Sequence, residues 1–388
     1  MSTHGSGMAV VWRLAIATTL MVLAYGMTAP MLAVLLQQQG HPPAVVGAFA
    51  MVPFLMVGAL IPLMPRLLAR WGVLKVYRWG TVLQVLASIG YAAGDGLIAW
   101  TVASAVGGLG VAGLWNGTEA LLAREAPAAE RGRVMGLYQT GMGAAFALGP
   151  FAPVLLDYSP RTLLVMAAVL VLLCSLIAFR VPDHSLREPP PGQAGTWHAL
   201  RLVPALAVLA FVGGVFEAGL TSVSAAYAAA AGAGLGAAAS VAGAIGMGSF
   251  LCQYPAGWTA DHFRPRSVFQ GAAVLLLASS LVFAAADRQP WLLWAVGLLW
   301  GGVGGALYTL TMVQVAHVFQ GRATAGGAAA MISGYTLGGI VGPVASGAAL
   351  QWSGAPGLAT LLCAVSILAW VAARRPEPAD LRTPAAAA

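Results

Sequence analysis

Charge is what this chain has least of. Only 8% of its 388 residues are Asp, Glu, Lys or Arg, while 59% are hydrophobic. A water-soluble domain carries about a quarter charged residues, so this chain cannot cover a surface that faces water on every side. That shortage excludes an ordinary soluble enzyme or scaffold, and the apolar excess must face lipid. Lysine is almost missing, Lys75 being the single one. A phosphate-binding loop needs Gly-Lys ahead of Ser or Thr, and Lys75 stands between Leu74 and Val76. With no soluble domain to hold a nucleotide, a self-contained ATP-driven pump is excluded. Cysteine is scarce too. Cys174, Cys252 and Cys363 all lie inside apolar runs, as small buried side chains and not as a disulfide framework or metal site. The six histidines (His4, His41, His184, His198, His262 and His317) are dispersed among loops and span ends. A membrane enzyme gathers such groups at one depth, so neither a metal nor any other cofactor is expected. The formal net charge of +7 is scattered between apolar runs, which is no surface for nucleic acid.

What the chain has instead is long apolar runs and 49 glycines. About 20 apolar residues cross the hydrocarbon of a bilayer as a helix. Twelve runs qualify. The first six are Val11–Leu36, Ala44–Met64, Val76–Gly94, Leu97–Leu121, Val134–Leu156 and Thr162–Phe179. The second six are Leu202–Ala229, Gly236–Trp258, Ser267–Ala286, Trp291–Ala316, Ala325–Leu350 and Ala355–Ala373. No basic segment precedes Arg13 and the first run is far longer than a signal core, so it is expected to stay as a membrane helix. Closed β-barrels are the other spanning solution, but these runs are too long and lack alternation. The expected fold class is therefore all-α and polytopic, with twelve transmembrane helices.

The links test that number. Seventeen of the nineteen basic residues fall on links that this topology places on one side, and only Arg161 and Arg288 fall on the other. That is the asymmetry of the positive-inside rule, so both termini are expected in the cytoplasm. Residues 181–201 are read as a linker rich in proline (Pro182, Pro189, Pro190, Pro191), and residues 374–388 as a disordered tail. The linker divides the chain into halves, 1–180 and 202–373.

The halves repeat one another. Gly141 and Gly149-Pro150 in the fifth run match Gly334 and Gly342-Pro343 in the eleventh, at a constant offset of 193 residues. Each run follows a Gly-Arg pair, Gly132-Arg133 or Gly321-Arg322, and the same offset lays Ala24–Gly26 on Glu217–Gly219. Two pseudo-symmetric six-helix bundles with a site at their interface are an architecture of secondary transporters.

Two carboxylates lie inside the runs, Glu119 and Glu217. An ionisable group in hydrocarbon costs about 2.5–3.5 kcal/mol at a helix centre and is functional by default. Glu119 is near the end of its run, where Arg70 or Arg66 can pair with it in a gating role. Glu217 is near the middle of the seventh, with Thr221 and Ser224 on the same helical face and Gly213 leaving room beside it. Burial disfavours the charged form, so Glu217 is expected to carry a coupling proton or to bind a cationic group. The competing reading is a permanently protonated acid that ties two helices together. Tyr25, Trp115, Asn116, Gln139, Gln253 and Tyr308 are further candidates for a central cavity, although aromatic residues near span ends are more often interfacial.

Three places carry a family resemblance. The stretch from Gly248 through Gln253, Pro255, Gly257 and Asp261 to Arg264 and Arg266 resembles the cytoplasmic-loop signature of the major facilitator superfamily, in its second-half copy. The first-half copy departs from it, with Pro65 and Ala69 where Gly and Asp are usual, although Arg70 and Gly72 fit. Glu119 with Arg131-Gly-Arg133 through Gly136 and Tyr138 is similar to a branch of bacterial inner-membrane members, and Gly141 with Gly149-Pro150 resembles a motif discussed for exporters. The resemblance implies alternating access by a monomer in a bacterial inner membrane. Asp261 with Arg264 and Arg266 would lock one conformation through charge-assisted hydrogen bonds. Gly141, Gly149, Pro150, Gly334, Gly342 and Pro343 would serve helix packing. The expected activity is proton-coupled efflux of an amphipathic or cationic compound by an antiporter. The alternatives are a proton-coupled importer of a small metabolite and a transporter-like sensor.

Overall fold

The computed structural model describes residues 3–125, 131–181, 196–284, 289, 291–319 and 323–375. Every described element is helical. The first half holds Thr3–Gln38 (span 1), Pro43–Leu60 (span 2), Val73–Ala93 (span 3), Gly96–Glu125 (span 4), Arg131–Leu148 continued by Gly149–Phe151 and Ala152–Leu156 (span 5), and Pro160–Phe179 (span 6). The second holds Pro204–Gly214 continued by Val215–Gly219 and Leu220–Ala230 (span 7), Leu235–His262 (span 8), Pro265–Phe283 (span 9) and Leu292–Val318 (span 10). A last helix, Ala323–Ala373, is bent at Gly354, whose φ of 62° and ψ of −152° are not helical. It divides there into spans 11 and 12.

Ten of the described helices are long and apolar enough to cross a membrane, and Ala323–Ala373 is one of them. Val73–Ala93 has the length, but Lys75, Arg78 and Gln84 lower its apolar character. With that helix added and the last one divided, twelve segments of crossing length result, which fits the number drawn from the link charges. Differences of detail have local causes. Span 2 stops at Leu60, four residues short of the expected Met64, because Pro62 and Pro65 supply no backbone donor there. A separate helix, Met64–Trp71, then carries Arg70 in its last turn and ends at Gly72, whose φ of 83° suits glycine. Residues 196–201, read as linker, and Leu202, read as the start of the seventh run, form a short helix, Thr196–Leu202. Residues 182–195 of the linker and 376–388 of the tail, with Arg187 and Arg382, lie outside the described residues.

Buried apolar side chains gather in two cores. One runs from Val10 to Val181 and the other from Ala199 to Ala373, each with only one or two additions from across the molecule. Within each core the offset of 193 residues is a physical contact. A β-carbon at Gly26 would lie 3.5 Å from both Gly149 Cα and Pro150 Cδ; one at Gly219 would lie 3.1 Å from Gly342 Cα and 3.3 Å from Pro343 Cδ. Spans 1 and 5 thus cross as spans 7 and 11 do, at the same glycines. In hydrocarbon, where association relies on van der Waals contact and not on expelling water, such close backbone approach is the main source of cohesion.

The halves meet where spans 1 and 7 pack together, with Val34 and Ala226 each joining the other half's core, and along two further seams. Span 2 lies against span 11, where Gly47 touches the Pro343 carbonyl, Gly339 the Phe54 ring, and Gln351 Oε1 accepts from Ala44 N at 3.3 Å. Span 5 lies against span 8, where β-carbons at Gly236, Gly243 and Gly246 would come within 2.9 Å of Val154, Phe151 and Ala147. Both seams are closed at the end bearing Pro43 and Val154. Toward the opposite end, where Arg70, Arg264 and Arg266 project, Gln139, Gln253 and Tyr254 are exposed.

The two crossings should respond alike to bulk. Gly149→Leu and Gly342→Leu are each expected to destabilise the protein by about 1–3 kcal/mol, the cost of overpacking, and to lower the unfolding temperature in detergent. Gly271→Ala, where nothing lies within 4 Å, should leave it unchanged or raise it.

Candidate functional site

Glu217 sits in the one turn of span 7 that is not α-helical. Val215–Gly219 is a π-turn, flanked by Gly213 and Gly214. Such single-turn insertions widen the helix, leave carbonyls in need of partners and are frequent at functional sites. Here the Thr221 hydroxyl donates to the Glu217 carbonyl at 2.6 Å and the Ser224 hydroxyl to the Leu220 carbonyl at 2.7 Å. Both hydroxyls therefore support the backbone around the acid and do not reach its carboxyl. The inserted residue also changes what Gly213 does. It packs on the Gly304 carbonyl of span 10, and the space beside the carboxyl comes from Gly305, where a β-carbon would lie 3.1 Å from Glu217 Oε1.

The carboxyl itself is held by hydroxyls from two other spans. Ser249 Oγ of span 8 donates to Oε1 at 2.5 Å, and the Tyr335 hydroxyl of span 11 donates to Oε2 at 3.0 Å. The Tyr308 ring packs on the Tyr335 ring with centroids 4.8 Å apart. Tyr25 of span 1 shares a small cavity with Ala218, Thr221 and Ser222 of span 7, which brings the first half to the edge of the cluster. A hydroxyl can donate or accept. Ser249 and Tyr335 can therefore donate to an ionised carboxylate or turn one proton to accept from a protonated acid. No heavy atom has to move between the two states. An arginine or lysine in their place would donate only and would hold the acid ionised.

Of the residues singled out beforehand, the structure brings together Glu217, Tyr25 and Tyr308. Trp115, Asn116, Gln139 and Gln253 are exposed and stand apart from this cluster. Asn116 Nδ2 donates to the Ala112 carbonyl of its own helix at 2.9 Å, and Gln253 Oε1 accepts from Thr309 of span 10 at 2.6 Å. Asp261, Arg264 and Arg266 are all exposed where span 8 turns into span 9, and Arg70 is exposed on its short helix. The side chain of Glu119 lies outside the described residues. Ser249 and Tyr335 were missed. Each is a polar residue in an apolar run, which is a signal, but nothing in the spacing connects either to Glu217. Arg78 has a different task from its neighbours in the link. It donates to the carbonyls of Ala178, Phe179 and Val181, satisfying the end of span 6.

Removal of either hydroxyl partner leaves a buried acid with one hydrogen bond fewer. Ser249→Ala and Tyr335→Phe are each expected to cost about 1–3 kcal/mol. In a double-mutant cycle read by thermal unfolding in detergent, the two losses should not add, because they share one carboxyl.

A model of the Major Facilitator Superfamily matches the chain over residues 14–251 and 206–388. The uncharacterized MFS-type transporter YfkF of Bacillus subtilis (strain 168) is 22% identical over 335 residues, covering 84% of this chain and 85% of that protein. Among solved structures, a mutant of the nucleoside transporter NupG superposes with a TM-score of 0.77 over 94% of this chain and 98% of its own, at 14% identity. A D-xylose-proton symporter gives 0.71 over 93% and 97%, also at 14%. A bacterial homolog of the human lysosomal transporter Spinster, in an inward-facing and unoccupied conformation, gives 0.70 over 95% of each chain at 15% identity.

Proposed function

The chain belongs to the major facilitator superfamily, and from that premise we propose that it is a proton-coupled secondary transporter in which Glu217 carries the proton. The observation behind this reading is the hydroxyl cradle of Ser249 and Tyr335, which serves the acid in either protonation state. The position of the cluster supports it too, since the acid is held where spans 7, 8, 10 and 11 converge and Tyr25 of the other half lines the cavity beside span 7. Closure of the seams at one end supports alternating access. With the basic links in the cytoplasm, the closed end faces outward and the open end inward. Asp261, Arg264 and Arg266 sit at that open end and form the lock that stabilises the opposite, inward-closed state.

Export rested on Gly141 with Gly149-Pro150, yet its copy Gly342-Pro343 makes the same backbone crossing in the other half. The motif therefore serves packing in both places and carries little information about direction. Uptake with protons is the reading we favour, because a D-xylose-proton symporter shares the architecture over most of both chains. Export of a cationic compound is the second reading, favoured by the single acid in span 7, to which a cation and a proton could bind in turn.

In proteoliposomes with a substrate found by thermal-shift screening, uptake by symport predicts accumulation when the outside is acid, and antiport when the inside is acid. In Glu217→Gln, gradient-driven accumulation is expected to fall about tenfold or more, the range of a coupling free energy of ~1–3 kcal/mol. Substrate exchange without a gradient should persist. Full gradient-driven transport by Glu217→Gln would remove the proton-carrying role.

A further inference from the structure

A crevice lined mainly by apolar side chains, with several polar groups set into it, runs into the first half beside the Glu217 cluster. It begins between Ala218, Thr221 and Ser222 of span 7 and the Tyr25 and Thr28 turn of span 1, where its volume is about 40 Å³. A narrower continuation of about 10 Å³ shares Tyr25, Thr28, Pro53, Tyr91 and Ser104 with it and reaches Gln84 and Ser88 of span 3. The first half has other buried hydroxyls, Thr18 with Tyr77 and Thr118 and Thr81 with Ser175, but those serve one another.

The groups are arranged with hydrogen-bonding capacity to spare. Gln84 Nε2 donates to the Gly107 carbonyl at 2.6 Å, which fixes the amide and leaves Oε1 as an acceptor. Tyr91 donates to Ser104 Oγ at 3.2 Å, and the serine keeps its own proton to donate. Thr28 Oγ1 donates to the Ala24 carbonyl at 3.0 Å and retains lone pairs. Gly107 has no side chain to cover these groups; a β-carbon there would lie 3.5 Å from the Tyr91 hydroxyl and 3.9 Å from Gln84 Oε1. Among the described residues that line the crevice none is Asp, Glu, Lys or Arg. An ion taken into this interior would find dipoles but no counter-charge, and its desolvation would go uncompensated. A neutral group that both donates and accepts fits the inventory.

We propose that this crevice is a binding subsite for the hydroxyl-bearing end of an uncharged solute. The inference rests on the carrier reading for its destination and adds the chemical class of the cargo. The size agrees with an end group. One water needs about 10–15 Å³ of such space, so the crevice takes a hydroxymethyl or similar group in exchange for a few waters, while the rest of the solute stays in the path between the halves. Recognition by buried hydrogen-bonding groups is selective, because an analogue lacking the hydroxyl leaves them unpaired. Tyr25 lines the crevice opposite Ala218, the residue next to Glu217, so the cargo and the proton bind as neighbours.

The test uses the full-length protein in detergent and three neutral probes, namely a pentose, a nucleoside and a linear polyol. Each is paired with its analogue lacking the terminal hydroxyl, and tetraphenylphosphonium serves as a lipophilic cation. The expected result is that at least one hydroxylated probe raises the unfolding temperature and that its analogue binds about tenfold more weakly, the worth of about 1.4 kcal/mol of lost hydrogen bonding. Ser88→Ala and Ser104→Ala should erase that difference. Where a variant fails to fold, the probe and analogue comparison on the unaltered protein stands alone. Equal binding of probe and analogue, or binding of tetraphenylphosphonium alone, overturns the proposal. Glu217-dependent flux of that cation in liposomes, untouched by the serine variants, would sink the subsite and leave the carrier standing. Selective probe binding without any flux would sink the carrier and leave the subsite.

Discussion

Hydrocarbon offers no hydrogen bond and no solvation to a charge, and that constraint shapes nearly every polar contact in this protein. Hydroxyls inside the spans turn back on their own helices, as Thr221, Ser224 and Ser366 do, or pair across helices, as Thr18 does with Tyr77 and Thr118 at 3.0 Å. Arg78 is at the rim, spent on the last carbonyls of span 6. Glycine carries the other consequence. With no hydrophobic drive between helices in lipid, cohesion needs backbones in contact, and glycines at both crossings and both seams allow it.

Against this background Glu217 is the exception that the rest accommodates. Its helix is unwound by one residue, Gly305 makes room, and two hydroxyls from other spans are brought to its oxygens. The repeat makes the exception sharper. Ala24 is the residue that the offset lays on Glu217, so the acid has no counterpart in the first half. The scaffold is doubled and the chemistry is not. That division fits a carrier whose halves move alike while one of them holds the proton, and the uncharged crevice beside Tyr25 gives the other half a different task.

The architecture was legible because its signals are long-range averages. Apolar runs, basic links on one side and a repeat at a fixed offset each sum over many residues, and an error of a few residues, as at Met64, does not disturb them. Glu217 stood out for the same reason, as an acid in a run where charge is costly. Its surroundings were not legible. Placing Thr221 and Ser224 on its face assumed regular α-helical spacing, which the π-turn breaks, and Gly213 was assigned the room that Gly305 supplies. Ser249 and Tyr335 lie 32 and 118 residues away in sequence, and only packing brings them to the acid. The crevice was missed because Ser88, Tyr91 and Ser104 each look like a lone polar residue until spans 3 and 4 are laid side by side.

All of this presumes that the helices lie in a bilayer with the Arg70 and Arg264 links on the same side. Single cysteines at those two positions, in a background lacking Cys174, Cys252 and Cys363, can be labelled in intact cells with a membrane-impermeant maleimide. The account predicts that both stay unlabelled until the membrane is permeabilised. Labelling of one from outside while the other stays protected would contradict it, and would take the paired bundles and the carrier reading with it.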